Sequence, residues 1–315
     1  MPPTNPLQAF CVGDVRFDAP TGPDAATAAE YRGSAIQQLG PQFADHRGRI
    51  DLPALAVLFD HIGGLPYYAA RRSATIQARL SLSAQGYVDV DDRLTGTSRL
   101  VMHDDAFGTT EVALTTSTGH TICVGTARNV RVGRAIGGDA EIGDEPVPDH
   151  VDGSVVLPPP ISPEVDGATI VAEIAAGARA PGPIVEFLNG RIEIRTVADD
   201  NGDSDSGHEV EGLRFIARTD PWMGNMFGTM HGGVIATILG QACSLAGQAH
   251  APAGRSYRVG DLTASFLRSP AVQGSEVIVD VVPVKVGRRI ASLRATMNSH
   301  DSTLLAAATS DIQYF

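Results

Sequence analysis

Apolar positions along the chain fall into two long helical stripes, each followed by runs that alternate apolar and polar residues. Residues 53–70 set Leu55, Leu58, Phe59 and Ile62 on one side of a helix, the three-and-four spacing of an apolar face. Residues 232–250 repeat the device with Val234, Ile235, Ile238, Leu239 and Ala242. A strand-like run follows each helix, at 74–83 and at 260–268, and each half closes with a hairpin, 108–114 with 121–127 and 287–296 with 303–310. The shared order is one long apolar helix and then a meander of antiparallel strands, so the halves read as repeats. A helix this apolar cannot stay in water, and the sheet must wrap it.

Turn and linker residues place the boundary between the repeats. Glycine, proline and acidic residues crowd the stretch 133–163 (GRAIGGDAEIGDEPVPDHVDGSVVLPPPISP), which cannot hold a regular element for long. The expected organisation is a first domain at 1–135, a linker at 136–163 and a second domain at 164–315. A chain of 315 residues suits two domains of ordinary size. A second polar tract, 199–211 (DDNGDSDSGHEVE), lies between strand-like runs at 191–197 and 212–218 and reads as a long hairpin loop. It lacks the late glutamate of a calcium loop. The fold class is α+β, with two tandem units, each a curved antiparallel sheet around a long central helix. That is the hotdog arrangement.

Composition narrows the partners. A net charge of -12 argues against a nucleic-acid partner, which needs a basic surface. It leaves room for an anionic ligand held by a few local arginines. The three cysteines (Cys11, Cys123, Cys243) are scattered and match no metal or redox spacing, which favours a reducing compartment. The first residues, MPPTNPLQAF, lack the basic start and apolar run of a signal peptide. Nowhere do about 18 apolar residues run uninterrupted, so no membrane span is expected. The expectation is a cytoplasmic protein with no metal.

The sharpest local string is Asn225-Met-Phe-Gly-Thr-Met-His231-Gly232-Gly233, which runs straight into the second apolar helix. Two glycines at a helix start let the backbone approach a ligand and leave N–H groups unpaired. With the positive end of the helix dipole, those groups suit an oxygen gaining negative charge, such as that of a carbonyl under attack. A bare His-Gly-Gly is equally well a tight turn.

The wider string resembles the PaaI-like acyl-CoA thioesterases of the hotdog superfamily, whose pattern is Asn-x-x-Gly-x-x-His-Gly-Gly followed by a helix carrying an acidic residue. Asn225, Gly228, His231, Gly232 and Gly233 match it. The run from Asp261 to Arg268 is similar to that family's next strand, and Gly287-Arg288-Arg289 to its following turn. In one respect the resemblance fails. The family's acid stands nine positions after the histidine, where this chain has Gly240, and the adjacent Gln241 cannot replace a carboxylate. The first half has the reverse defect. Gly48 aligns with Gly228, Asp45 replaces the asparagine, Asp51-Leu52-Pro53 replaces His-Gly-Gly, and Asp60 stands nine positions after Asp51. As an ordinary helix residue Asp60 would instead pair with His61, Arg71 or Arg72.

In the resembling enzymes two subunits pack side by side, and each site takes its turn from one and its carboxylate from the other. The resemblance therefore implies a fused pseudo-dimer with one composite site, uniting Asn225, His231 and Gly232 with Asp60. The other crevice would face Asp45, Asp51 and Leu52 against Gly240 and be inert. Asp60 would act as general base or as nucleophile, the Gly232 N–H would stabilise the oxyanion, and His231 would orient or polarise the carbonyl. Asn225 would hold the thioester or the water, and Ser73 would set a hydroxyl near the water. Gly233, Arg268, Arg288 and Arg289 are candidates for binding substrate, the arginines through coenzyme A phosphates, although exposed strand-edge charge explains them almost as well. Coenzyme A enters only as part of the substrate, and no separate cofactor is implied. Leu65, Tyr67, Tyr68 and Phe227 are candidates for the acyl pocket, as well as for plain core. Hotdog sheets commonly associate further, which leaves room for a homo-oligomer of the fused unit. The competing function is a non-catalytic acyl-CoA-binding or regulatory protein, separated from hydrolysis by whether Asp60 faces the Gly232 amide. A hotdog hydratase is disfavoured, because neither helix carries its acid–histidine arrangement.

Overall fold

Twelve strands pair into one antiparallel sheet, and two long helices lie buried against it. The structure, a computed structural model, describes residues 3–19, 30–133, 146–147, 154–196 and 210–315. The first half contains α1 (Pro6–Ala9), β1 (Val12–Asp18), β2 (Arg32–Gln38), α2 (Ala56–Arg71), β3 (Thr75–Ala84), β4 (Arg93–His103), β5 (Phe107–Thr115) and β6 (Thr121–Arg131). The second contains α3 (Gly167–Ala175), α4 (Pro183–Phe187), β7 (Gly190–Thr196), β8 (Val210–Arg218), α5 (Gly232–Ala249), β9 (Tyr257–Phe266), β10 (Glu276–Val286), β11 (Ile290–Ser299) and β12 (Leu304–Tyr314). Across the sheet the order is β1-β2-β4-β5-β6-β3-β9-β12-β11-β10-β8-β7. Read inward from either edge, the two halves use the same permutation of strands.

The seam between the halves is the antiparallel pair β3–β9, with Arg79 opposite Ser265 and Leu82 opposite Leu262. Side chains stitch it as well, Ser81 to Thr263 at 3.0 Å and Arg79 Nε donating to Ser265 Oγ at 3.2 Å. Antiparallel pairing of this kind leaves no free edge at the centre of the molecule. The apolar face expected for α2 is buried at Leu55, Leu58, Phe59 and Ile62. Its proline-led start is a short 3-10 turn, Leu52–Leu55, in which Pro53 needs no N–H partner. In α5 every residue from Gly233 to Ala249 is buried, because the sheet covers one side and α2 and α3 cover others.

The strands β1, β2, β4 and β10 were not individually bounded by the hydrophobic pattern. Strand β2, RGSAIQQ, shows the reason: only Ala35 and Ile36 are apolar, so alternation is too sparse to read. The runs 191–197 and 212–218 form β7 and β8, which pair antiparallel, within the described residues. Residues 199–209 of the acidic tract, and 136–145 and 148–153 of the expected linker, lie outside them.

An aromatic cluster fixes the N-terminal segment over the junction of the halves. Phe10 stacks on Phe43 at 5.3 Å, and Phe187 of α4 lies 4.9 Å from Trp222. Phe10 also meets Phe187 edge-on at 5.4 Å, an arrangement aromatic quadrupoles favour. Among the described residues no helix is long and apolar enough to cross a membrane, and no group of three or more histidine, cysteine or acidic side chains could hold a metal ion. The three cysteines are buried and none of them forms a disulfide.

Candidate active site

The two turns that precede the long helices are built alike. Asn225 Oδ1 accepts the N–H groups of Phe227 at 2.9 Å and Thr229 at 3.3 Å. Asp45 Oδ1 accepts those of Arg47 at 2.8 Å and Arg49 at 3.3 Å. Both turns place a glycine at φ +72°, Gly228 and Gly48, in the left-handed region where a side chain is disfavoured. His231 then caps α5, as Asp51 caps the turn leading into α2.

Helices α2 and α5 cross where these turns end, and the crossing brings the halves of one site together. The Gly233 N–H donates to Asp60 Oδ2 at 2.7 Å, across 173 residues of sequence, and lies 3.1 Å from His231 Nδ1. His231 Nδ1 is itself 3.1 Å from Asp60 Oδ2. The glycines are what allow this. A Cβ on Gly233 would lie 2.6 Å from the Val57 Cα, and one on Gly232 would lie 3.0 Å from Asp60 Oδ2. Among the described residues the Gly232 N–H has no acceptor.

The electrostatics follow from burial. Asp60 is 1% exposed, and burial pushes its carboxyl up to about 7 against the opposing pull of the Gly233 N–H. Its second oxygen, Oδ1, is buried without a partner. Burial, assisted by the nearby His61, drives His231 down to about 3, and burial takes His61 to about 4. Both imidazoles are therefore neutral near pH 7. The His231–Asp60 contact is thus not an ion pair near pH 7, and His231 Nδ1 accepts the Gly233 N–H.

Next to this cluster lies a cavity of about 590 Å³, lined from both halves by Asp60, His61, Gly64, Leu65, Tyr68, Ile76 and Gln77 on one side and by Asn225, Phe227, His231, Gly232 and Phe266 on the other. Residues 4–7 of the N-terminal segment also line it. No lysine or arginine is among its lining residues. Gln77 was missed in the sequence; its Nε2 donates to the Asp60 carbonyl at 2.7 Å and ties α2 to β3. His61 and the segment at 4–7 were missed as lining residues too. Nothing local marks a histidine beside an acid or a short capped helix as part of a site.

The expected residues divide accordingly. Asp60, Asn225, His231 and Gly232 line one cavity, while Gly233 sits behind it with its N–H on Asp60. Asn225 Oδ1 is taken up by the N–H groups of its own turn. Ser73 does not line the cavity; its hydroxyl is buried without a partner after α2 has ended. Arg268 is exposed between the lining residues Phe266 and Ser269, at the rim. Arg288 and Arg289 are exposed in the β10–β11 turn, where the Arg289 carbonyl accepts the Tyr314 N–H. Tyr314 pairs with Tyr257, the end of β9 opposite Phe266, so this turn is a strand length from the cavity. Of the four pocket candidates, Leu65, Tyr68 and Phe227 line it; Tyr67 is fully buried against Gly108 instead.

The equivalent crevice on the other side is closed. Arg47 fills it, donating from Nε to Asp45 at 2.8 Å and from a terminal nitrogen to Asp51 at 2.9 Å. It also donates to the Tyr257 carbonyl, and its guanidinium lies 3.7 Å from the centre of the Tyr257 ring. Asp51 additionally accepts the Val259 N–H at 3.0 Å. Where Asp60 meets Gly233, this side has Gly240 against Pro53, and a Cβ on Gly240 would lie 2.8 Å from the proline ring. The expected facing of Gly240 is thus shifted by one residue, onto Pro53.

Residues 227–306 match the model of the thioesterase superfamily. No curated protein sequence matches the chain. Among solved structures, a conserved protein of unknown function with a hot dog fold from Alicyclobacillus acidocaldarius aligns with a TM-score of 0.54 at 14% identity, over 90% of this chain and 93% of that one. The tesB protein of Mycobacterium avium subspecies paratuberculosis aligns with a TM-score of 0.55 at 10% identity, over 90% and 92%. The acyl-CoA thioesterase II TesB2 of Mycobacterium marinum gives 0.50 at 13% identity, over 90% and 93%. The chain has the hotdog fold, and the match to the thioesterase-superfamily model lies in its second half.

Proposed function

We propose that the chain is an acyl-CoA thioesterase of PaaI-like type, built as two tandem hotdog units (1–135 and 164–315) around a single composite site. The observation that carries this reading is the Asp60 carboxylate held on the Gly233 N–H of the other half, beside a cavity that both halves line. Hydrolysis would lose its base if Asp60 faced away from the start of α5; its carboxyl group instead lies on the Gly233 N–H, next to Gly232.

The chemistry needs a base, an oxyanion site and a route for one proton. Asp60 Oδ2 accepts the Gly233 N–H, which leaves Oδ1 to take a proton from water. A carboxylate pushed up to about 7 suits a general base near neutral pH. As the O–H proton moves to Asp60, the water oxygen adds to the thioester carbonyl carbon. The carbonyl oxygen gains charge at the start of α5, where the Gly232 N–H and the helix dipole oppose it. Collapse breaks the C–S bond, and the departing thiolate takes the proton from Asp60, giving a carboxylic acid and a free thiol. No cofactor is consumed. The name of the Mycobacterium marinum protein supports coenzyme A as the thiol, and Arg268 at the rim is the residue here best placed for its phosphates.

The test is a panel of acyl-CoA esters assayed with a thiol-reactive chromophore, comparing wild type with Asp60→Asn. Loss of the base should lower kcat by about 10²–10⁴-fold. Unchanged turnover in the variant would end the mechanism, and no wild-type turnover on any ester would favour a binding protein.

A further inference from the structure

Hydrolysis at this site leaves one O–H of the attacking water in need of an acceptor. A water that gives one O–H to Asp60 Oδ1 has a second O–H, which in a dry crevice costs free energy unless something accepts it. Two polar atoms beside Asp60 already have partners. Asn225 Oδ1 accepts two N–H groups of its own turn, and His231 Nδ1 faces both Gly233 and Asp60.

His61 follows Asp60 on α2 and lines the same cavity. Its Nε2 is buried with no hydrogen-bond partner, as is Asp60 Oδ1. Two adjacent residues thus each keep one unpaired polar atom in the crevice wall. A fold that leaves a buried nitrogen unpaired is less stable for it, and such groups ordinarily find a partner in water or ligand. The imidazole is neutral near pH 7, so one ring nitrogen holds a lone pair and is an acceptor.

Resting on the thioesterase reading, we propose that His61 is a positioning residue: its Nε2 accepts one O–H of the attacking water while Asp60 Oδ1 accepts the other. The water oxygen is then held with a lone pair free for the thioester carbon. The proton that leaves goes to Asp60, and His61 gains none in the net reaction.

The experiment compares kcat, KM and thermal unfolding for wild type, His61→Leu and His61→Gln on whichever acyl-CoA the wild type turns over best. Leucine fills the space without an acceptor; glutamine restores one. His61→Leu should lose about 10–100-fold in kcat with KM within about threefold, as expected for a misplaced nucleophile. His61→Gln should regain most of that loss, and its pH profile should keep the same acidic limb. Wild-type kcat in His61→Leu would overturn the proposal, as would equal losses in both variants or a change confined to KM. Absence of wild-type turnover would overturn the thioesterase reading itself, a result visible before any variant is made.

Discussion

Asp60 is the residue on which activity and stability pull in opposite directions. Its carboxyl, pushed from 3.8 up to about 7 by burial, is protonated more readily in the folded chain than in the unfolded one. Its contribution to stability is therefore fully present below about pH 4 and is lost as pH rises through 7. The distance between the two values corresponds to on the order of 4 kcal/mol. His61 and His231 work in the other direction: their lowered values favour the fold above about pH 6.5, and that support is lost as pH falls towards 3–4. The proposed hydrolysis needs the ionised Asp60, so kcat/KM should rise about tenfold per pH unit below 7 and level off above it. The inactive Asp60→Asn protein carries no charge to bury. Its melting temperature should exceed that of wild type by several degrees at pH 8 and by much less at pH 5. Thermal unfolding at the two pH values decides the matter, and an equal gap at both would mean that Asp60 titrates as an ordinary carboxyl.

At the scale of elements, the crossing of α2 and α5 couples two substitutions that the sequence shows as separate defects. Where Gly233 offers an N–H, Asp60 has somewhere to lie; where Pro53 offers none, position 240 has lost its side chain and the proline ring fills the space. Restoring the missing acid should therefore fail. Gly240→Asp would drive a Cβ against Pro53 and bury a carboxylate without a donor. It should cost about 1–3 kcal/mol in urea unfolding, while kcat per folded molecule stays at the wild-type value. A clear gain in kcat would show that the second crevice can be reactivated. The meeting of Asp60 with the start of α5 was legible from the nine-residue register of Asp60 and from the turn around His231, because helix periodicity and turn chemistry are local. The closure by Arg47 was not. In Asp45-His-Arg-Gly-Arg it is one of two arginines, and only Tyr257, 210 residues away, shows which is buried. The arginine at 268 fell near the mouth and those at 288 and 289 did not, since the sequence does not say at which end of a strand a ligand enters.

At the scale of the whole molecule, one continuous sheet carries two crevices of the same design, and their difference fixes how many ligands a chain can hold. The open crevice has a cavity of about 590 Å³ with polar atoms waiting in its wall. The closed one holds Arg47 between Asp45 and Asp51, all three nearly buried, with side-chain exposures of 9%, 3% and 10%. For a thioester to enter there, the guanidinium must leave both carboxylates, and breaking a buried ion pair costs about 3–5 kcal/mol. A ligand of micromolar affinity has only about 8 kcal/mol in total, so the closed crevice should bind more weakly by a factor of several hundred or more. Calorimetric titration of Asp60→Asn with a thioether analogue of acyl-CoA, in which no C–S bond can be hydrolysed, reads this directly. The expected stoichiometry is one per chain over the accessible concentration range. Two equal sites per chain would mean that Arg47 moves aside readily, and the second crevice would then be a binding site in its own right.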